Sequence, residues 1–110
     1  MFRRLSYIDP ETGFYNEKYL GVMGRKAAKK NIHDIMVIHF RTIQDKEKLA
    51  KILKFWEPEY SKIVIKNDGE FLVLSVLQKK IIAEKYIELV SENCEKEGIA
   101  IESSYEMTHL

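Results

Sequence analysis

Cysteine is nearly absent from this chain: Cys94 is the only one in 110 residues. No internal disulfide can form, so a reducing, cytoplasmic setting is the expectation. Long apolar runs are missing too. Ile35 to Phe40 and Phe71 to Leu77 are the longest uncharged stretches, far short of the ~20 residues a membrane helix needs. Arg3 and Arg4 near the start are not followed by the roughly 7–15 apolar residues of a secretion signal. Charge of one sign is lacking as well, since 18 Lys+Arg stand against 17 Asp+Glu for a net +1. That balance, with 45% hydrophobic residues, excludes a disordered charged tail and a strongly basic nucleic-acid arm. With no repeat, linker or low-complexity segment, residues 1–110 read as one domain around one core.

The first ordered feature is Asp9-Pro10-Glu11-Thr12-Gly13-Phe14-Tyr15-Asn16, where Pro and Gly close together mark a fixed turn. Asn16 is placed to cap a helix in which Tyr19, Leu20, Met23 and Ala27 recur at helical spacing. Gly21 and Gly24 weaken it by about 1 kcal/mol each, so it must lean on packing. Ile35 to Phe40 reads as a central strand buried on both faces. Leu49, Ile52, Leu53 and Trp56 form one helical stripe that Pro58 ends. Ile63 to Ile65 and Phe71 to Leu77 predict two antiparallel strands around Asn67-Asp68-Gly69, a strong reversal signal. The longest helix spans about Lys79 to Glu97, with Gly98 as its stop. A last strand is expected to start at Ile99-Ala100-Ile101, and Ser103 to Leu110 is the least readable stretch. After an N-terminal helix the order is βαββαβ, an α+β, ferredoxin-like arrangement with an antiparallel-containing sheet and helices packed on one side.

Two motifs on this scaffold resemble those of diguanylate cyclase (GGDEF) domains. The first resembles their D-x-L-T-G-L-x-N-R-R segment, with Asp9, Thr12, Gly13 and Asn16 matching outright. The second, Asn67-Asp68-Gly69-Glu70-Phe71, looks like the signature hairpin, of which only Glu70 and Phe71 keep the family letters. The resemblance implies a GGDEF/nucleotide cyclase-like fold over nearly the whole chain. Two family stretches have no counterpart: F-K-x-x-N-D after the first strand and A-K-x-x-G-R-N after the last. The chain is accordingly read as a fragment of a larger protein or a reduced version of the domain.

Active members join two GTP molecules into cyclic di-GMP across a homodimer, with Mg²⁺ neutralising phosphate charge. By resemblance the metal-binding Asp at the first strand's end aligns with His39, a second strand-end Asp with Arg41, and the acidic signature residue with Gly69. Mg²⁺ takes hard oxygen ligands, so His39 and Gly69 are lost metal positions, and Arg41 places a positive charge beside them. Asn67 and Asp68 stand where glycines let phosphate approach. The product-inhibition motif R-x-x-D is absent near Tyr60 to Ile63. These departures imply a degenerate, catalytically inactive signalling or interaction module with no catalytic residue, no metal and no cofactor. Its partners would be a protein or other domains of a longer chain, or a second copy in a homodimer, with no nucleic acid and no membrane insertion. The alternative is an active or weakly active cyclase using Mg²⁺ and GTP.

Other residues read as structural. Asp68 and Glu70 suit a solvated turn, and His33, His39 and His109 lack ligand spacing. Cys94 and Trp56 complete apolar helix stripes. Tyr7, Tyr15 and Tyr19 cluster around the first motif, as a partner patch or as packing. Arg25, Lys26, Lys29 and Lys30 read as a solvated helix face rather than an RNA-binding patch. An RNA-recognition motif would show aromatics along its third strand, where only Phe71 stands.

Overall fold

The computed structural model describes residues 7–31, 34–75 and 80–109. In chain order the elements are β1 (Tyr15–Asn16), α1 (Tyr19–Lys29), β2 (Asp34–Arg41), α2 (Lys46–Trp56), β3 (Ser61–Ile65), β4 (Phe71–Ser75), α3 (Lys80–Lys96) and β5 (Glu102–His109). One mixed five-stranded sheet takes the order β1-β3-β4-β2-β5. β1 runs parallel to β3, and the other pairings are antiparallel. The α+β class and the βαββαβ order stand as expected.

The unbroken apolar run of β2 follows from its burial on both faces. Met36, Ile38 and Phe40 join Leu49, Leu53, Ala83, Tyr86, Val90 and Cys94 in the larger core, under α2 and α3. Ile35 and Val37 join Val64, Leu72 and Leu74 in a second cluster, against Leu20 and Met23 of α1. Helices therefore cover both sides of the sheet, correcting the one-sided packing expected from the strand order. α1 takes the second face because its apolar residues, having only a short stripe, match the smaller cluster.

Local chemistry sets the helix ends. Asp45 caps α2 by accepting the Lys48 N–H at 3.1 Å, and Glu57 turns extended (ψ 137°) ahead of Pro58, as the proline ring demands. At the end of α3, Gly98 adopts φ +72° and Ile99 N–H reaches back to the Cys94 carbonyl at 2.9 Å, a Schellman closure. Between helices, the Tyr86 hydroxyl donates to the Leu53 carbonyl at 2.7 Å, and burial pushes that phenol far above its ordinary range. Trp56 packs against this core and Cys94 lies fully inside it, where burial raises the thiol.

Two expectations shift. Asn16 does not cap α1: it lies in β1, and its side chain accepts the Lys18 N–H at 3.1 Å, two residues on. The last strand begins at Glu102 rather than Ile99, because Ile99 and Ile101 turn inward to the core. β5 is instead the stretch the sequence left unread. As an edge strand it pairs with β2 alone, so it tolerates polar residues such as Ser104 and Glu106. His33 and Val76 to Lys79 lie outside the described residues.

Candidate functional site

The first motif is a loop closed upon itself. One Asp9 carboxylate oxygen accepts both the Thr12 N–H (2.9 Å) and the Thr12 hydroxyl (2.7 Å). Gly13 N–H returns to the Asp9 carbonyl at 2.8 Å, with Gly13 at φ +77°. The loop sets Phe14 edge-on to Phe71, ring centres 6.0 Å apart. Asp9, Thr12 and Gly13 thus hold an aromatic plug under the second motif.

That second motif is the β3–β4 reversal. Lys66 and Glu70 close it through Lys66 N–H to the Glu70 carbonyl (2.8 Å) and Gly69 N–H to the Lys66 carbonyl (2.9 Å). Gly69 alone among the three central residues takes positive φ, at +88°, which side chains resist. The tip is tied down where Asn67 N–H donates to the Glu17 carboxylate at 3.1 Å. Phe71 is fully buried.

Because β2, β4 and β5 are in register, His39 lies opposite Leu72 and Ser104, and Arg41 opposite Glu102. Side chains from three elements then meet on the part of the α1-side face that α1 leaves uncovered. His39 places Nδ1 3.4 Å from Glu70 and Nε2 3.6 Å from Glu106. Arg41 Nη2 lies 3.2 Å from Asp68 and 3.6 Å from Glu70. Lys66 adds contacts of 3.4 Å to Glu70 and 3.9 Å to Asp68. Acids and bases alternate through the cluster, and Glu70, the least exposed of them at 16%, faces three basic side chains.

The charges respond to one another. Asp68 is held below its ordinary range, first by the Glu70 N–H that its carboxylate accepts and then by Arg41 and Lys66. Its hydrogen bond raises Arg41 in turn. The cleft beside them, walled by His39, Arg41, Glu70, Glu102 and Ser104, holds about 190 Å³. Ligand pockets usually hold roughly 300–1,000 Å³. Among the described residues no three His, Cys, Asp or Glu side chains are grouped to share a metal ion.

The structure brings together His39, Asp68 and Glu70, with Arg41 between them, and leaves Asp9, Thr12, Gly13 and Asn16 beneath or beside the hairpin. Sequence reasoning missed Lys66 and Glu106. Lys66 sits four residues before Glu70 and was legible as a partner; Glu106 depended on a strand whose register was not. The tyrosines pack together, Tyr15 stacked on Tyr19 at 3.8 Å and Tyr7 edge-on to Tyr19 at 6.1 Å.

No protein-family model matches the chain, and no curated protein matches it in sequence. Solved structures do match. The GGDEF domain of FimX from Pseudomonas aeruginosa superposes with TM-score 0.74 at 15% identity, covering 94% of this chain and 80% of that one. The coiled coil and GGDEF domain of DgcB from Caulobacter crescentus, solved with c-di-GMP, gives 0.79 at 11% identity, over 96% of this chain and 71% of that one. The diguanylate cyclase SiaD of Pseudomonas aeruginosa, in complex with its activator SiaC, gives 0.72 at 16%, over 99% of this chain and 52% of that one. The fold is that of GGDEF domains.

Proposed function

We propose that this chain is a GGDEF-fold module of cyclic di-GMP signalling that makes no cyclic dinucleotide and works through contacts with a protein or with neighbouring domains. The observation that carries this reading is the ionic cluster at the signature hairpin. A cyclase must offer carboxylates to Mg²⁺ and open backbone to a triphosphate. Here Glu70 is faced by His39, Arg41 and Lys66, and Asp68 is engaged by Arg41 and the Glu70 N–H. An imidazole and a guanidinium in this donor set do not suit Mg²⁺, and a bound cation would displace Arg41 against charge repulsion. At position 69 an acidic side chain would face φ +88°, so a carboxylate ligand there is resisted by the backbone itself. Support for a protein partner comes from SiaD, a neighbour in fold solved with an activator protein.

Isothermal titration with GTP and Mg²⁺ tests the reading: no binding tighter than about 1 mM is expected. Micromolar, metal-dependent binding overturns it. So does cyclic di-GMP formed from GTP, if the product vanishes in Glu70→Ala.

A further inference from the structure

On the side of the sheet opposite the hairpin cluster, α2 and α3 lie next to each other over the larger core. They run antiparallel. Lys48 at the start of α2 comes within 3.8 Å of Glu97, just past the end of α3, while Trp56 at the end of α2 shares a groove with Ile81 and Ile82 at the start of α3. That groove, also lined by Pro58 and Leu89, holds about 400 Å³. Phe55 beside it is 77% exposed and Ile81 is 70% exposed, with the Phe55 ring edge-on to Trp56, centres 5.0 Å apart. A single exposed apolar residue is ordinary, but two large ones bordering an apolar groove form a contiguous patch, which marks a contact surface.

Charge divides the same face. α2 carries Lys46, Lys48, Lys51 and Lys54 against Glu47, and α3 carries Glu84, Glu88, Glu92 and Glu95 with only Lys85 among them. Because Leu49, Ala50 and Leu53 turn inward on α2, and Ala83, Tyr86, Val90 and Cys94 on α3, the helical period sends Lys51 and Phe55 outward on one helix and Ile81, Glu88 and Glu92 outward on the other. All five are exposed. Among the described residues, neither Lys51 nor Glu92 has an ion-pair partner. The face therefore has an apolar end, at Phe55 and Ile81, and an end where a basic helix lies beside an acidic one.

We propose that this face pairs with a second copy of itself, about a two-fold axis running along the helices, so that α2 of each copy lies on α3 of the other. Such an axis exchanges the two helices while keeping the height of each residue along them, as a self-complementary patch requires. Phe55 then meets the groove of the second copy, and Lys51 meets Glu88 and Glu92. An axis across the helices would instead set Lys51 against Lys51. An unrelated helix would have to bring both an apolar knob and a divided charge that this chain already supplies. The face is ~25 Å long and ~20 Å wide, on the order of 500 Å² per copy in projection, which places the pair near the ~1,000 Å² lower bound of a specific interface. The inference rests on the reading of the chain as a module that works through protein contacts, and it names the partner. It also leaves the two hairpins on opposite outer sides of the pair, facing away from each other.

Sedimentation velocity of the chain from about 5 to about 500 μM tests this, with a reversible monomer–dimer equilibrium expected at a Kd of about 10–100 μM. Phe55→Ser should weaken it about thirtyfold. Lys51→Glu and Glu92→Lys should each weaken it about tenfold, since the axis repeats every substitution. An equimolar mixture of those two variants should regain the dimer, because both contacts between positions 51 and 92 then join opposite charges; recovery also shows that both variants are folded. A chain that stays monomeric at the highest concentration overturns the proposal and assigns the face to a different protein. A dimer indifferent to Phe55→Ser overturns it too, as do charge variants that stay apart when mixed. Titration with GTP reports on the hairpin alone, so the failure of that reading and of this one are seen separately.

Discussion

The two ends of the α1-side face of the sheet treat charge in opposite ways. β2 connects them, passing from Ile35 at a cleft lined by Lys26, Lys30 and Lys62 to Arg41 at the hairpin, about 20 Å at ~3.3 Å per residue. At the hairpin end acids and bases interleave, and His39, Arg41 and Lys66 are consumed by Glu70, Asp68 and Glu106. At the lysine end no described carboxylate lies within 4 Å of the Lys26, Lys30 or Lys62 ammonium groups. A charge already matched inside the molecule has little to offer a ligand, because the ligand must first displace its partner. The same face thus neutralises its own charges at one end and not at the other.

The comparison breaks most sharply in stability. Phe71 anchors the hairpin end, fully buried and edge-on to Phe14. Phe71→Ala should therefore cost about 3–5 kcal/mol by urea unfolding. Lys26→Gln at the other end should change stability by no more than about 0.5 kcal/mol. Comparable losses at both positions would mean that the lysine cleft is a structural element and not an exposed surface.

A smaller effect separates the hairpin from its support. Asp9→Ala removes the acceptor of two Thr12 bonds and loosens the loop that seats Phe14, a loss of about 1–2 kcal/mol. Glu70→Gln leaves His39, Arg41 and Lys66 facing one another without their shared carboxylate. About 1 kcal/mol is expected after discounting for solvent, read as a lower thermal midpoint that added salt partly restores. If Glu70→Gln were instead stabilising, the cluster would be a site of stored repulsion, and the case for a closed cleft would fail.

How much of this was written in the sequence follows physical lines. The buried run of β2, the Leu49 to Trp56 stripe, the Asn67-Asp68-Gly69 reversal and the Gly98 stop are local signals, and the structure keeps all four. β1 was invisible because a two-residue strand has no periodicity, and the last strand was expected three residues early because an edge strand such as β5 can be half polar. The side of the sheet that α1 covers depends on which apolar cluster it completes, a tertiary choice that no window of residues contains. Arg41 stood out as a charge beside the hairpin, yet its partnership with Asp68 spans 27 residues and needed the β2–β4 register. Tyr60 and Lys62 gave no signal, since a cleft is made by elements meeting and not by any one of them.

The finest distinction between the two ends is their response to acid. Asp68 is held below its ordinary 3.8, first by the Glu70 N–H and then by Arg41, so the folded state binds that proton less readily than the unfolded chain. A depressed carboxylate adds stability above its unfolded value, and that contribution disappears as pH falls through the folded value. Between about pH 5 and about pH 3 the denaturation midpoint of the wild-type chain should therefore fall further than that of Asp68→Asn. The asparagine keeps an oxygen for the Glu70 N–H but has no proton to gain. Raising the salt should narrow the gap, because Arg41 and Asp68 are both substantially exposed. Lys26→Gln should retain the full wild-type acid response, since no described carboxylate pairs with Lys26. Coincident profiles for wild type and Asp68→Asn would show that the hairpin's ion pairs leave the folded state unchanged, and the two ends would then differ in geometry alone.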